Sequence, residues 1–307
     1  MQAFFQKLFL FALPFLLGIA GIVWLDPYGF IGADSPEEME SRKHIAFPLN
    51  YTFWKYNQYR QQPKPNILLG DSRMEALTEE QVREVSGKDY FNFAYGGGTV
   101  PEMIQTFWFA SQQTQLKKVV MGLNFGRYNA FVKENRCQEA QNLLDYPYMY
   151  LFNQSVLKSS FYLMKEKLGG TKTQIGKPLM DREAFWEHQL DFLARRFYQE
   201  YAYPESFFHQ LKEIADYCAT HEIALSFVIL PTHAELQDQI IRYGRQQELT
   251  KYKADLHLLG RVYDFHQKNE LTLDKERYKD PFHFKPEVGE VVIKEVIGTC
   301  GMAQVVD

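Results

Sequence analysis

Cysteine is scarce in this sequence, and the few that occur exclude several classes of protein. Three cysteines are found among 307 residues: Cys137, Cys218 and Cys300. Because the number is odd, a framework in which every cysteine is paired within the chain is excluded, and no C-x-x-C or Cys/His spacing of a metal site occurs. We expect these cysteines to be small buried side chains. One disulfide between two of them is the alternative if the domain is exported from the cytoplasm.

An excess of charge of either sign is also lacking. The net charge is −4, with 46% hydrophobic and 23% charged residues. This balance gives no basis for nucleic-acid binding and is typical of a folded globular chain. Internal repeats and low-complexity tracts are likewise missing from the sequence. The length predicts one domain of about 250 residues with an appendage.

One long uncharged apolar run is present, close to the N-terminus. Residues 8–25 read LFLFALPFLLGIAGIVWL, and these 18 residues would span roughly 27 Å as a helix, close to the hydrocarbon thickness of a bilayer. Lys7 precedes the run, whereas five acidic residues lie between positions 26 and 40. We expect residues 1–25 to be a single-pass anchor with a cytoplasmic N-terminus and an extracytoplasmic body. A cleaved signal peptide and a buried core helix are the alternatives.

The remaining chain divides into a linker and a folded domain. Residues 26–65 show no long periodic run and end in QQPKP, which predicts a membrane-proximal linker. Residues 66–307 are expected to fold as the main domain. Within it, the stretch at about 128–200 is rich in Tyr, Phe and Trp. This stretch predicts a helical insertion, either with an aromatic core of its own or acting as a lid over a site.

Strand and helix signals alternate through the main domain. Short apolar runs predict strands over 66–69, 90–93, 118–123, 224–230 and 262–265. Helical patterns lie between and after them, at 74–85, 101–113, 202–221, 234–259 and 286–297. This order predicts an α/β fold with a parallel sheet covered by helices on both faces, a three-layer α/β/α architecture.

Polar residues follow the predicted strands, at the points where the strands end. Ser72 follows the first strand, glycines 96 to 98 the second, Asn124 the third and His233 the fourth. In an open parallel sheet, sites form beyond the carboxyl ends of the strands. We therefore expect these residues to meet at one edge of the sheet.

Ser72 has partners of the right chemistry far downstream, in the segment Asp280-Pro281-Phe282-His283. A serine hydroxyl becomes a nucleophile when an imidazole accepts its proton, and the imidazole needs an acceptor that fixes its tautomer. These residues predict Ser72 as nucleophile, His283 as general base and Asp280 as its orienting carboxylate. The alternative for Ser72 is a helix cap, because Ser72 and Glu75 form an S-x-x-E capping-box pattern.

Four motifs of this chain resemble those of the SGNH (GDSL-type) hydrolase superfamily. Gly70-Asp71-Ser72 resembles the nucleophile block, and Asp280-Pro281-Phe282-His283 resembles the last block. The resemblance covers about residues 66–298, apart from the aromatic-rich stretch. It implies a flavodoxin-like α/β/α fold, catalysis by Ser72, His283 and Asp280, and no metal or organic cofactor.

The two middle motifs of the family supply the oxyanion hole. The stretch NFAYGGGT at 92–99 resembles the second block, and by its spacing the oxyanion glycine is Gly97. Gly122-Leu123-Asn124 resembles the third block, whose asparagine is the other donor. Together with the Ser72 amide, Gly97 and Asn124 would form the hole. The family usually has an aspartate after the third block, and here that position is Phe125.

The predicted anchor, placed before the turn Gly70-Asp71-Ser72 (the nucleophile turn), resembles a membrane-anchored branch of that superfamily, the bacterial proteins of envelope polysaccharide O-acetylation and D-alanyl transfer. This resemblance implies an extracytoplasmic serine esterase or O-acyltransferase of the cell envelope, acting on acyl groups, acetyl above all, of an envelope or secreted glycan. The implied partners are an acylated glycan or small acyl ester, the membrane and a membrane-bound O-acyltransferase, without nucleic acid.

Two alternatives to that function stay open. One is a non-catalytic accessory subunit that binds glycan or a membrane acyltransferase, and the other is a lipolytic esterase. Asp71, Arg73 and His233 are candidates for contact with the substrate or for support of the catalytic groups, because they flank the nucleophile or lie at the same sheet edge.

Overall fold

The computed structural model describes residues 1–32, 35–173, 175 and 180–298. Contacts within the chain divide it into two compact units. Met1–Gln61 and Arg136–Pro178 form the N-terminal unit, and Gln62–Asn135 and Leu179–Asp307 form the sheet unit. Cys137 and Cys218 are buried, as expected, and Cys300 lies outside the described residues.

The described part of the chain contains helices and five strands. The strands are β1 (Asn66–Leu69), β2 (Phe91–Asn92), β3 (Lys118–Leu123), β4 (Ala224–Ile229) and β5 (Arg261–Asp264). The helices are α1 (Gln2–Leu25), α2 (Pro36–Leu49), α3 (Tyr51–Gln61), α4 (Ser72–Glu75), α5 (Glu79–Ser86), α6 (Val100–Gln113), α7 (Cys137–Asp145), α8 (Gln154–Lys167), α9 (Arg182–His188), α10 (Ala194–Tyr198), α11 (Glu205–Thr220), α12 (Ala234–Arg242), α13 (Gln246–Leu259), α14 (Glu270–Leu273) and α15 (Pro286–Val296).

The five strands form one sheet in the order β2-β1-β3-β4-β5, and every pair is parallel. This is the strand order of flavodoxin-like folds, in which the order reverses beside the first strand. The predicted α/β fold with a parallel sheet is confirmed. β1 and β3 begin and end where the sequence predicts them, because each is a short apolar run between turn-forming segments.

Helices cover both faces of the sheet. On one face, Leu68 of β1 and Val120 of β3 lie in register and pack with Val288 and Val292 of α15 in a buried cluster. Side chains alternate between faces along a strand, so the neighbouring residue Ile67 points to the opposite face. There α6 contacts β1 and α11 contacts β4. The sheet is therefore the middle of three layers, and its carboxyl edge is left open for a site.

The N-terminal unit begins with a helix of membrane character. Within α1, the 22 residues Phe4–Leu25 are long and apolar enough to cross a membrane, by length and composition. Most of its large side chains are exposed, among them Phe11 and Phe15. A signal sequence has the same character, so the retained anchor stays a prediction.

Residues 36–61, in which the sequence shows no long periodic run, form α2 and α3. Ser35 and Glu38 make a reciprocal capping box that begins α2. The buried side of α3 is aromatic, and Phe53 packs against Tyr28 and Tyr150 with ring centroids 5.2 and 5.8 Å away. Aromatic packing at uneven spacing gives little of the aliphatic periodicity by which a helix is recognised in a sequence.

The aromatic-rich stretch at 128–200 is mostly helical and contributes to both units. α7 and α8 belong to the N-terminal unit, whereas α9, a π-helical turn over Gln189–Leu193 and α10 belong to the sheet unit. π-helical turns are often found at functional sites. The role of a lid over a site stays a prediction.

Candidate active site

Ser72, His283 and Asp280 form one continuous chain of hydrogen bonds. Ser72 is the first residue of α4, immediately after β1, and its Oγ lies 2.7 Å from Nε2 of His283. The other ring nitrogen, Nδ1, lies 2.7 Å from Oδ2 of Asp280. Because a carboxylate accepts hydrogen bonds, it favours the tautomer with the proton on Nδ1. Nε2 is then left as the acceptor for the serine proton.

The turn that carries Asp280 and His283 is fixed by backbone hydrogen bonds. Oδ1 of Asp280 accepts from the N–H groups of Phe282 at 2.9 Å and His283 at 3.1 Å. The carbonyl of Pro281 accepts from the backbone N–H of His233 at 3.0 Å. A buried carboxylate held on both oxygens keeps the imidazole in one orientation.

Asp71, and not Ser72, caps the helix that begins at Ser72. Oδ1 of Asp71 accepts from the backbone N–H of Arg73 at 3.0 Å, which leaves the Ser72 hydroxyl available to His283. The capping-box alternative for Ser72 is therefore wrong. Its physical reason is local: the aspartate one position earlier is a strong cap and is already in the extended conformation that a cap requires.

Arg73 is buried in an ion pair with Asp71. Its Nη2 lies 2.8 Å from Oδ2 of Asp71, and both residues are only 3% exposed. Burial by itself raises the pKa of the Asp71 carboxyl, but the charge and hydrogen bonds of Arg73 outweigh it and lower that pKa. The pair forms part of the floor of the site. In this arrangement the Arg73 guanidinium holds Asp71 in place next to Ser72. The contacts of Arg73 give no support to its predicted role in binding the substrate.

The two predicted oxyanion residues lie beside the nucleophile turn. Gly97 has a φ of +67°, a conformation that favours glycine. At Gly98, an added Cβ would overlap the carbonyl oxygen of Gly70 and lie 3.2 Å from Cα of Asp71. Glycine at position 98 therefore lets the loop after β2 approach the turn after β1, and Gly97 and Ser72 line the same cleft.

Asn124 both closes its own turn and reaches towards the nucleophile turn. Its Oδ1 accepts from the N–H of Gly126 at 2.9 Å, and its Nδ2 donates to Oδ2 of Asp71 at 3.3 Å. The first contact is the local cap that is common for asparagine after a strand. The second directs the amide to the floor of the site, where an incoming oxyanion would compete with Asp71 for it.

These residues surround one cleft of about 270 Å³ in the sheet unit. Ser72, Gly97, Asn124 and His283 line it, and Leu193, Phe197 and Phe282 give it apolar walls. The cleft therefore brings together the predicted nucleophile, the predicted base, the candidate oxyanion donors and apolar side chains. Across the described ranges, no group of three or more His, Cys, Asp or Glu side chains could hold a metal ion.

Arg127 is a cleft residue that the sequence motifs did not single out. It ends the 3-10 turn that Asn124 caps, and its guanidinium lies over the Phe197 ring at 5.4 Å from the centroid. Its Nη2 lies 3.1 Å from where a Cβ on Gly97 would be. Its position in the sequence could have indicated it, because Arg127 is a cation three residues after Asn124, the residue that follows the central strand β3.

His233 shares the sheet edge but does not line the cleft. It is 4% exposed, and its ring meets Trp186 edge-on at 4.9 Å between centroids. Nδ1 accepts from the Glu235 N–H at 3.3 Å, and burial lowers the pKa of the imidazole. The side chain is thus a neutral helix cap, and only its backbone supports the turn of His283.

Asn92 and Phe125 have structural contacts that explain the two middle motifs. The Asn92 amide donates to the carbonyls of Met74 and Leu77, both at 2.8 Å, and so ties β2 to the end of α4. Phe125 stands where the family usually has an aspartate. Its ring packs against those of Tyr198, Tyr201 and Tyr252. The turn keeps its shape because Asn124 closes it.

No protein-family model and no curated protein match this sequence. Among solved structures, the chain is similar to one from Streptococcus pneumonia described as a platelet activating factor, with 12% identity over 86% of this chain and 97% of the other, and a TM-score of 0.43. It is also similar to a structure from Bacteroides fragilis described as an acylhydrolase, with 14% identity and a TM-score of 0.42. That match covers 79% of this chain and 93% of the other. A third similar structure is described as a GDSL-like lipase from Bacteroides thetaiotaomicron, with 14% identity and a TM-score of 0.41. That match covers 80% of this chain and 98% of the other.

Proposed function

We propose that this protein is a serine esterase of the SGNH type that works through an acyl-serine intermediate. The observation that carries the proposal is the hydrogen-bonded chain from Ser72 through His283 to Asp280, which lies at a cleft on the carboxyl edge of a parallel sheet. Oriented base and buried carboxylate are what a serine needs to become nucleophilic at neutral pH.

The chemistry follows from the positions of the donors and acceptors. Oγ of Ser72 bonds to the ester carbonyl carbon while its proton passes to Nε2 of His283. The carbonyl oxygen becomes an oxyanion, which the Gly97 amide and the Asn124 side chain would stabilise. The carbon–oxygen bond to the alcohol then breaks, and the imidazolium returns its proton to the leaving oxygen. Water or a sugar hydroxyl attacks the acyl-serine by the same steps in reverse order.

The finer proposal is a membrane-anchored, extracytoplasmic enzyme that removes or transfers O-acyl groups, acetyl above all, of an envelope or secreted glycan. The membrane character of α1 and the motif resemblance support it. The apolar walls at Phe197 and Phe282 suit a short acyl group or the face of a sugar ring. Hydrolysis and transfer share the acyl-serine and differ in which hydroxyl reaches it.

Covalent labelling tests the nucleophile. The detergent-purified protein would be treated with a fluorophosphonate and the labelled peptide identified by mass spectrometry. We expect labelling at Ser72 that Ser72→Ala abolishes and His283→Ala strongly reduces. Ser111→Ala, on α6, is the matched control and should label as the wild type does. A folded protein that takes no label would point to the accessory-subunit alternative.

Product analysis separates hydrolysis from transfer. With 4-nitrophenyl acetate as donor, free acetate and acetylated glycan would be measured in the presence and absence of a polysaccharide acceptor. Acetylated glycan that requires Ser72 supports transfer, whereas acetate alone at every acceptor concentration supports hydrolysis.

Alkaline phosphatase fused after α1 would test the orientation of the protein in the membrane, since that enzyme is active only outside the cytoplasm.

A further inference from the structure

Arg127 is a charged side chain at the cleft, and in the part of the chain that the structure describes it forms no ion pair. Among the residues that the structure describes, no carboxylate lies within ion-pair distance of its guanidinium and no acceptor is hydrogen-bonded to it. Its contact is with the face of the Phe197 ring. Arg73, on the floor of the same cleft, has its charge balanced by Asp71. The charge of Arg73 is therefore balanced within the described residues, whereas the charge of Arg127 is left for a bound group to balance.

A second hollow of about 210 Å³ shares two of its walls, Arg127 and Phe197, with the Ser72 cleft. Lys133 and Arg196 add positive charge to its lining, and Glu134 and Glu200 add negative charge. Arg196 lies 3.7 Å from Glu134, so part of this charge is already neutralised. Counting Arg127, the lining carries three cations and two anions and is left with a net positive charge.

The electrostatics of Arg127 favour an anion in this hollow. The residue is half-buried, and burial lowers its pKa although the more distant Asp71, Glu134 and Glu102 act to raise it. The charged guanidinium is thus less stable here than in water. A carboxylate or phosphate bound to the guanidinium would compensate for the hydration that the guanidinium loses on burial. The planar guanidinium can bind either group through two hydrogen bonds.

We propose that Arg127 binds an anionic group of the ester substrate, a carboxylate or a phosphate, in the hollow that adjoins the Ser72 cleft. This inference rests on the proposed esterase function and names its substrate class. Because the guanidinium also lies beside Gly97, the anion would be held close to the scissile ester. Substrates would therefore be acyl esters of acidic molecules, such as an acidic sugar, or esters of an acid that carries a second charge.

Matched pairs of esters test this substrate class. On the acyl side, 4-nitrophenyl hemisuccinate is compared with neutral 4-nitrophenyl butyrate. On the alcohol side, 4-acetoxybenzoate is compared with 4-acetoxybenzamide, and 4-acetoxyphenyl phosphate with phenyl acetate. The measured quantity is the anionic-to-neutral ratio of kcat/KM, in wild type and variant. Intrinsic differences in leaving-group reactivity cancel between the two enzymes, so the change in ratio reports the contact with the anion alone.

Arg127→Gln should lower this ratio by about tenfold to a hundredfold for at least one pair, the range expected for a lost charged hydrogen bond. The pair affected identifies whether the anion is a carboxylate or a phosphate and which side of the ester carries it. Arg127→Lys should restore part of the ratio. Arg195→Gln removes an exposed cation of α10 outside both hollows and should leave every ratio unchanged.

Two results would overturn the inference. Equal losses on the anionic and neutral esters of every pair would mean that Arg127 acts on the carbonyl that both share. Unchanged ratios, in a variant that melts as the wild type does, would mean that no anion contacts it. In both cases Ser72-dependent hydrolysis of neutral esters would leave the esterase proposal intact. Absence of fluorophosphonate labelling and of all ester hydrolysis would instead reject both.

Discussion

Asp71 and Arg73 form a buried ion pair on either side of Ser72 in the sequence, and the two residues of the pair are each 3% exposed. Asp71 also accepts from the Arg73 backbone N–H and from the Asn124 amide. The pair therefore connects the nucleophile turn to the turn after β3. The pair stabilises the contact between two loops of the site, because each buried charge is compensated by the other and by hydrogen bonds.

Removing one member of this pair should cost much more than removing an exposed charge. Arg73→Met leaves the Asp71 carboxylate buried without its partner, and we expect the free energy of unfolding to fall by about 3–5 kcal/mol. Lys212→Met, which breaks an exposed pair with Asp216 at 2.6 Å, should cost less than about 1 kcal/mol. Denaturant titration of the two variants measures both. Equal costs would mean that Arg73 does not compensate Asp71.

Asn124→Ala should damage catalysis far more than stability. Loss of one oxyanion donor lowers kcat by about 10²–10³-fold. The same substitution removes a cap, which costs about 1 kcal/mol of stability. Asn153→Ala is the matched control, because Asn153 caps α8 by accepting from the Ser155 N–H at 2.8 Å and lies in the N-terminal unit. It should lose similar stability but keep kcat. A kcat in Asn124→Ala near that of the wild type would remove the residue from the oxyanion hole.

Two glycines of one loop should respond differently to a methyl group. At Gly98, a Cβ would overlap the backbone of Gly70, so Gly98→Ala should cost about 1–3 kcal/mol and displace the loop from Ser72. At Gly96, nothing lies within 4 Å of an added Cβ, and Gly96→Ala should be tolerated. Melting temperature and ester hydrolysis would be compared for the two variants. Similar behaviour of both would contradict the close approach of the two loops.

Mild acid should destabilise the protein through His266. Burial lowers the pKa of this imidazole to about 4, whereas an exposed histidine has a pKa of about 6.5. As the pH falls from about 6.5 to 4, the unfolded chain takes up a proton that the folded chain does not, so stability decreases over that range. His266→Gln should make the decrease smaller between pH 7 and pH 5, measured as the denaturant midpoint. Substitution of the exposed His209 should leave the wild-type slope, and an unchanged slope in His266→Gln would contradict the assignment.

Much of the sheet could be predicted from the sequence, whereas the breaks in two helices could not. A single helix was expected over 74–85, but α4 ends at Glu75 and a capping box at Thr78 and Gln81 begins α5. Likewise the helix expected over 234–259 is interrupted at Gly244, which has a φ of +67°. Both signals are local and were present in the sequence, but an apolar pattern that continues across the break concealed them.

The candidate site shows a similar division. Ser72, Gly97 and Asn124 meet because they follow adjacent parallel strands, which sequence order and strand pattern could indicate. The burial of the Arg73–Asp71 pair and the half-buried position of Arg127 over the Phe197 ring depend on how two turns pack, and a linear sequence pattern gives no measure of that packing. His233 follows a strand at the same edge, yet its ring packs edge-on against that of Trp186, a contact between distant parts of the sequence that the strand pattern does not indicate.

The separation of 211 residues between Ser72 and His283 has a consequence for the timing of biosynthesis. At about 5–20 residues per second, the ribosome adds the histidine roughly 10–40 s after the serine. On the proposed mechanism, the growing polypeptide carries throughout that interval a Ser72 hydroxyl that lacks its base, and this hydroxyl would react with esters no faster than any other serine. Esterase reactivity would begin only when the turn that carries Asp280 and His283 packs against Ser72. An incomplete chain would therefore not hydrolyse esters in the cytoplasm during synthesis.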